Sequence, residues 1–325
     1  DIHIWREQMK RLLLIILMII LSVMSLFIGA KEITVMDILS GNEAAIELFV
    51  ISRMPRLISL LMAGIGMSIS GLIMQQLSRN KFVSPTTGAT IDAAQLGVVI
   101  GMVLFPGASI MLKTSVAFIF ALAGTIAFMM VIRKITFKNV VFVPLVGIMF
   151  GNIIGSITTF IAYKYDIMQN VSAWMQGDFS MILKGNYEML YLCIPLVVIA
   201  FIYANHFNIA GMGEDFATNL GINYNRILYM GLAVVALVTV SVVITVGSIP
   251  FIGLIVPNIV SLYKGDRIKG TLIDTALIGS VFLLACDIFG RIVIFPYEIS
   301  IGLTVGVVGS IIFLYLILRR EKHAK

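Results

Sequence analysis

The stretch SRMPRLISLLMAGIGMSISGLIMQQLSRNKFVSP, Ser52 to Pro85, joins a basic entry (Arg53-Met-Pro-Arg56), a glycine- and serine-striped apolar centre, and a polar exit from Gln75 to Asn80. Its centre is long enough to cross a bilayer core as a helix, which takes about 20 residues. Gly64, Ser68, Gly71, Gln75 and Ser78 follow one another at intervals of four, three, four and three, so they share one helical face. Small residues on one face let another helix approach closely. The stretch therefore reads as a membrane span packed tightly on one side.

The rest of the chain has the same character. Of its 325 residues 59% are hydrophobic and 12% charged, with a mean hydropathy of +1.04. A soluble domain of this length cannot bury so much apolar side chain. Apolar windows recur near 12–30, 55–78, 88–105, 113–132, 139–163, 187–204, 224–247, 250–264, 271–293 and 302–318, with no strand-like alternation to suggest a β-barrel. The first window follows Arg6, Lys10 and Arg11 and precedes no small-x-small cleavage site, so it is expected to be retained. The prediction is an all-α polytopic membrane protein with about ten transmembrane helices, in a single domain over residues 1–325. Val246-Gly-Ser-Ile-Pro250 is expected to break the chain between two spans.

Cytoplasmic loops carry the excess of Lys and Arg. With ten spans and both termini cytoplasmic, sixteen of the 23 basic residues fall inside, among them Arg79, Lys81, Lys138, Arg267 and Lys325. Arg53, Arg56 and Arg291 then lie at the outer surface against the bias. The net charge of +6 is spread over short links rather than gathered in a patch, which argues against a nucleic-acid partner. Cys193 and Cys286 sit in apolar windows without metal spacing.

Polar residues within spans mark where a pathway could run. In the window from 139, Gly147, Gly151 and Gly155 form one stripe, and Asn152, Ser156, Thr159 and Tyr163 another beside it. A helix so built packs on one side and lines a cavity on the other. Asp287 precedes Arg291 by four residues, the spacing of a helical ion pair. Asp92, three residues before Gln95, is expected near the inner boundary, satisfying backbone or Arg79. Between spans, residues 164–186 carry Trp174 and Gly177-Asp178, read as an interfacial aromatic within a connecting loop. The inner segment 205–223 is expected to hold a short helix from Glu214 to Leu220, ended by Gly221. HExxH, GxSxG and GxxxxGK[ST] are all missing, so hydrolytic chemistry lacks its parts and any ATP must be bound by another subunit.

Arg53-Met-Pro-Arg56, Gln75 to Asn80, Asn219-Leu-Gly-Ile222, Phe251 with Gly253-Leu-Ile-Val-Pro257, Asp287 with Arg291, and Gly302 to Arg320 occur in that order along nearly the whole chain. Together they resemble the FecCD/BtuC-like permeases of type II ABC importers for iron-siderophores, haem and cobalamin. The resemblance implies a transport subunit and not an enzyme, in the bacterial plasma membrane, with no cofactor of its own. Its implied partners are a second permease subunit, identical or related, two cytoplasmic ABC ATPase subunits holding ATP-Mg, and an extracytoplasmic siderophore-binding lipoprotein. By that resemblance Arg53, Arg56 and Arg291 match the outer arginines that receive acidic groups of the binding protein. Gly213, Glu214, Asp215, Phe216, Ala217, Thr218, Asn219, Leu220 and Gly221 match the helix that couples to the ATPase, and Asn152, Ser156 and Thr159 lie on the helix lining the translocation pathway.

The chain departs from the family pattern at Asn258, where histidine is usual, at Lys81, where proline is common, and over Ser84 to Gly88 with Asp92. The runs Asn80 to Thr87 and Phe295 to Ser300 look more like Gram-positive permeases for catecholate or petrobactin-type ferric siderophores. Import of a ferric siderophore is thus expected. The alternatives are haem or cobalamin import within the family, an ion-coupled secondary transporter using Asp92 or Asp287, and an intramembrane hydrolase, for which paired catalytic groups are lacking.

Overall fold

The computed structural model describes residues 2–29, 31, 33–87, 89–134, 142–265 and 268–324. Ala30, Gly88, Lys138, Arg267, Lys325 and positions 139–141, all used in the expectations above, lie outside the described residues. The described chain is helical, with one isolated backbone pairing between Gln176 and Ser248.

Helix α1 (Ile2–Phe27) leads to two short helices, α2 (Val35–Leu39) and α3 (Glu43–Leu48). Thr34 and Asp37 close a reciprocal cap at the start of α2, the carboxylate accepting from the Thr34 N–H at 2.8 Å. Helix α3 runs through a widened turn over Phe49–Arg53 into α4 (Met54–Leu77). Pro55 cannot donate to the turn before it and crowds the carbonyl four residues back, and the widened turn accommodates both effects.

The stripe on α4 meets two other helices, α13 (Ile252–Lys264) and α14 (Ile268–Ile292). A Cβ added to Gly64 would lie 2.8 Å from the Gly279 carbonyl of α14, and one added to Gly71 would overlap the Gly253 carbonyl of α13. One turn further, Gln75 Nε2 donates to the Leu254 carbonyl of α13 at 3.1 Å. The chain leaving α4 stays within the helical body, with Val83 and Pro85 buried and Pro85 packed on Gly253. The two departures Asn258 and Lys81 touch: Asn258 Nδ2 donates to the Lys81 carbonyl at 2.7 Å.

A second layer is formed by α5 (Thr90–Leu104), α6 (Ile110–Lys134) and α7 (Phe142–Lys164). Gly97 of α5 lies against Ala117 of α6, where a Cβ would come within 2.6 Å of the Ala117 Cα. Next come α8 (Met168–Met175), α9 (Cys193–Ile202), α10 (Ala204–Met212), α11 (Glu214–Asn219) and α12 (Tyr224–Val246); α15 (Ile301–Ala324) follows α14. Helix α12 is buried along most of its length and packs on α4, α5 and α6.

Among the described residues six helical segments are long and apolar enough to cross a membrane: Gln8–Phe27, Glu43–Leu77, Ile110–Val131, Leu145–Lys164, Tyr224–Val246 and Gly270–Ile292. A seventh is the pair Glu188–Ile202 and Ala204–Met212, bent by 61°. The other three expected spans fall on shorter apolar helices, α5, α13 and the Ile301–Leu316 part of α15. The 13 residues of α13 rise roughly 20 Å, against a hydrocarbon core of about 30 Å.

The break before α13 explains its shortness. Gly247 and Phe251 adopt left-handed backbone (φ 82° and 63°), and the strand-like run after α8 fills the gap. Ser248 N–H donates to the Met175 carbonyl at 2.9 Å and Asp178 N–H to the Val246 carbonyl at 2.8 Å. Gly302 N–H closes the site on the Gly177 carbonyl at 2.9 Å. Backbone groups freed by a helix break inside a membrane need such partners. Trp174 belongs to the same construction: half-buried on α12, its Nε1 donates to the Ile244 carbonyl at 3.3 Å.

Candidate functional site

Three places in the fold hold the residues singled out from the sequence. The first is the N-terminal end of α4. Arg56 donates to Asp287 Oδ1 and to Glu298 Oε2, each at 2.8 Å. Arg291 pairs with the other Asp287 oxygen, the expected one-turn ion pair on α14. Arg291 also donates to the Ser25 and Ile28 carbonyls at 2.8 Å and to Ser25 Oγ at 2.6 Å, while Arg53 donates to the Ile28 and Lys31 carbonyls. These carbonyls belong to the last turn of α1 and the chain just beyond it, where helical partners run out and the dipole favours cations. Arg53, Arg56 and Arg291 thus form one cluster, but a buried one: Arg53 is 8% exposed and Arg291 2%. Glu298 was not recognised from sequence as part of it, since its link to Arg56 spans 242 positions.

The second place is the segment 205–223. Gly213 (φ 126°) turns the chain from α10 into α11, and Gly221 (φ 76°) ends it, with Leu220 as the cap. Ala217 is buried against the body, while Glu214, Asp215, Thr218 and Asn219 are exposed and Met212, Phe216 and Leu220 present apolar side chains outward. A Cβ on Gly213 would overlap the Arg79 guanidinium, and one on Gly211 would stand 2.5 Å from Gln76 Nε2. The C-terminal end of α4 therefore seats directly on this segment. A cavity of about 190 Å³ beside it is lined by Gln75, Gln76, Arg79, Lys81, Gly211 and Ser261, among others. Nearby, Asp274 of α14 binds Arg11 at 3.0 Å and pairs with Lys264, tying α1, α13 and α14 together. This carboxylate lies inside the expected 271–293 span, where reading by residue type had registered only Asp287.

The third place is a groove between α5 and α7. Asn152, Ser156 and Thr159 line it together with Asp92, Gln95, Gly155 and Phe160, around an open volume of about 610 Å³. Asp92 is not directed toward Arg79, whose guanidinium is at Gly213; its carboxylate lies over Gly151 and Gly155. A Cβ at Gly151 would overlap Asp92 Oδ2, and one at Gly155 would come to 3.7 Å from Oδ1. The glycine stripe of α7, expected to receive a helix, makes room for a carboxylate at those two positions. Among the described residues no group of three or more His, Cys, Asp or Glu is placed to hold a metal ion.

Residues 15–319 match the FecCD transport family. The chain is 56% identical over 316 residues, 97% of its length and 100% of the relative's, to the petrobactin import system permease protein YclN of Bacillus subtilis. It is 37% identical over 319 residues to the petrobactin import system permease protein FatD of Bacillus anthracis, covering 98% of this chain and 93% of that one. The ferric-anguibactin transport system permease protein FatD of Vibrio anguillarum is 39% identical over 298 residues, 92% of this chain and 95% of its own. In fold, the chain superposes on an inward-facing ABC transporter described as of metal-chelate type, with a TM-score of 0.85 at 20% identity, covering 96% of this chain and 99% of the other.

Proposed function

The chain belongs to the FecCD transport family, and from that premise we propose that it is the permease subunit of a binding-protein-dependent ABC importer carrying a petrobactin-type ferric siderophore into the cytoplasm. The observation that carries the substrate is the 56% identity, over the full length of the relative, to a petrobactin import permease. The chain works in the bacterial plasma membrane beside a second permease subunit, identical or related. Two cytoplasmic ATPase subunits supply ATP-Mg, and an extracytoplasmic lipoprotein delivers the chelate. Both termini face the cytoplasm, and ten segments cross or enter the membrane when the bent pair and the three short apolar helices are included.

In this reading α11 is the contact with the ATPase. Support comes from its outward apolar side chains, Phe216 and Leu220, rimmed by Glu214 and Asp215. The turn that leads into it, at Gly211 and Gly213, lies against Gln76 and Arg79, which gives a route from ATPase movement to α4. The outer cluster is the docking face for the binding protein. Three guanidinium groups there stand against two carboxylates, which leaves a positive surplus facing an acidic partner. Asn152, Ser156 and Thr159 line the pathway, supported by their meeting in one open groove. Alternating access then needs only that nucleotide and loaded binding protein favour different states.

The test is uptake into proteoliposomes holding the whole importer. Iron-loaded petrobactin should enter with ATP and the binding protein, and continue when proton and sodium gradients are dissipated. Uptake that survives without ATP but stops with the gradients would overturn the proposal in favour of an ion-coupled transporter.

A further inference from the structure

We infer that Asp92 and Gln95 of α5 complete, with Asn152, Ser156 and Thr159 of α7, an acceptor-rich wall that binds a positively charged nitrogen on the passing chelate. The inference rests on the pathway reading of this groove and adds to it the charge of what the groove prefers. All five residues line the same open volume. An ionised carboxylate only accepts hydrogen bonds. Ser156 spends its proton on the Asn152 carbonyl at 2.8 Å, so its lone pairs are left for a donor. Phe160, also on the lining and strongly exposed, offers a ring face, which attracts cations. No Lys or Arg is among the residues lining the groove, among the described residues.

Two further facts separate this carboxylate from a structural one. Asp274 and Asp287 are each held by two cationic side chains, whereas Asp92, in the first turn of α5, has no cationic side chain paired with it among the described residues, and the space beside it is cleared by Gly151 and Gly155. Hydrocarbon does not solvate a carboxylate, and acids within spans face protein or water-filled cavities that serve as pathways. The groove therefore has to be wet or covered by protein, and its free valence is for a donor.

The experiment places a cysteine at Ser156, or at Thr159 if the first variant fails to fold, in the complete importer in membrane vesicles. Cys193 and Cys286 are buried, and the unsubstituted chain serves as the background control. Two methanethiosulfonate reagents of similar size, one ending in trimethylammonium and one in sulfonate, are compared. With Asp92 present the cationic reagent should react about tenfold faster than the anionic one, and Asp92→Asn should bring the ratio close to unity. Equal rates with Asp92 present, or a ratio unmoved by Asp92→Asn, overturn the inference while leaving the pathway reading intact. A cysteine that reacts with neither reagent in any nucleotide state defeats both, because the groove is then closed to water.

Discussion

At the N-terminal end of α4 the arginines hydrogen-bond to the chain itself, to Asp287, to Glu298 and to the last carbonyls of α1. Near the C-terminal end of α4, α11 buries one alanine and leaves Phe216 and Leu220 exposed. The two regions were matched to docking roles by the same kind of argument, yet one is built as an internal clasp and the other as a presented surface. Charged residues on an outer rim are not thereby free to meet a partner. Exposed apolar residues at an end rimmed by acids have no comparable use within the chain.

The largest effect follows from breaking the clasp. Asp287 lies between Arg56 and Arg291 and is 4% exposed, so Asp287→Ala leaves two guanidinium groups facing each other without a shared anion. Breaking a buried pair in this way costs about 3–5 kcal/mol. Thermal unfolding in detergent should show a loss of that order, and a change below about 1 kcal/mol would mean that the clasp does not hold α1, α4 and α14 together. The matching change at the other end should behave oppositely. Phe216→Ala is expected to leave unfolding unaffected while weakening ATPase association by about 2 kcal/mol, roughly 30-fold in Kd. Intact association would remove α11 from the interface.

A smaller effect lies between these two in kind. Gly213 has φ 126° and no room for a Cβ beside Arg79. Gly213→Ala forces a rare backbone conformation, at a cost of about 1–2 kcal/mol, and displaces either α11 or the α4 exit. The expected readout is ATP hydrolysis that continues with reduced uptake per ATP. Unchanged coupling would show that the seat of α4 on this segment transmits nothing.

How much of this could be read from the sequence differs between the same regions. The segment around α11 is local: Gly213 and Gly221 bracket six helical residues, and both glycines have the left-handed backbone that such punctuation requires. The arginine clasp is not local, because Arg291 reaches Ser25 across 266 positions and no spacing rule reports that. Only its Asp287–Arg291 rung, four residues apart, was legible. The break at Gly247 to Pro250 was visible as composition, but its filling by residues 175–178 was not, since backbone hydrogen bonds carry no side-chain signature. The stripe on α7 was legible as a set of small residues, while the fact that Gly151 faces Asp92 and not another helix depends on how α5 and α7 meet. The lengths of α5 and α13 were not legible for a related reason: both are largely apolar but short, at 15 and 13 residues, and composition registers apolarity more readily than length.

The smallest effect sharpens the comparison most, because it separates clasp from docking face at the same residues. Glu298 is the most exposed of the ion-paired side chains in the arginine cluster, with 24% of its side chain accessible, and among the described residues its ion pair is with Arg56. The pair lies at the edge of the cluster, Gln keeps an acceptor for Arg56, and Asp287 still holds Arg56 and Arg291, so Glu298→Gln should fold at a cost of about 1 kcal/mol. The substitution nevertheless raises the positive surplus at the rim by one charge. If an acidic binding protein docks there, its affinity should rise about twofold to fivefold at low salt, and the gain should shrink as ionic strength shortens the screening length below about 10 Å. Binding of the lipoprotein to the importer in nanodiscs, titrated across salt, reads both quantities. Affinity that ignores both the substitution and the salt would assign Arg53, Arg56 and Arg291 wholly to the clasp, and the docking surface would have to be sought on the exposed outer residues around them.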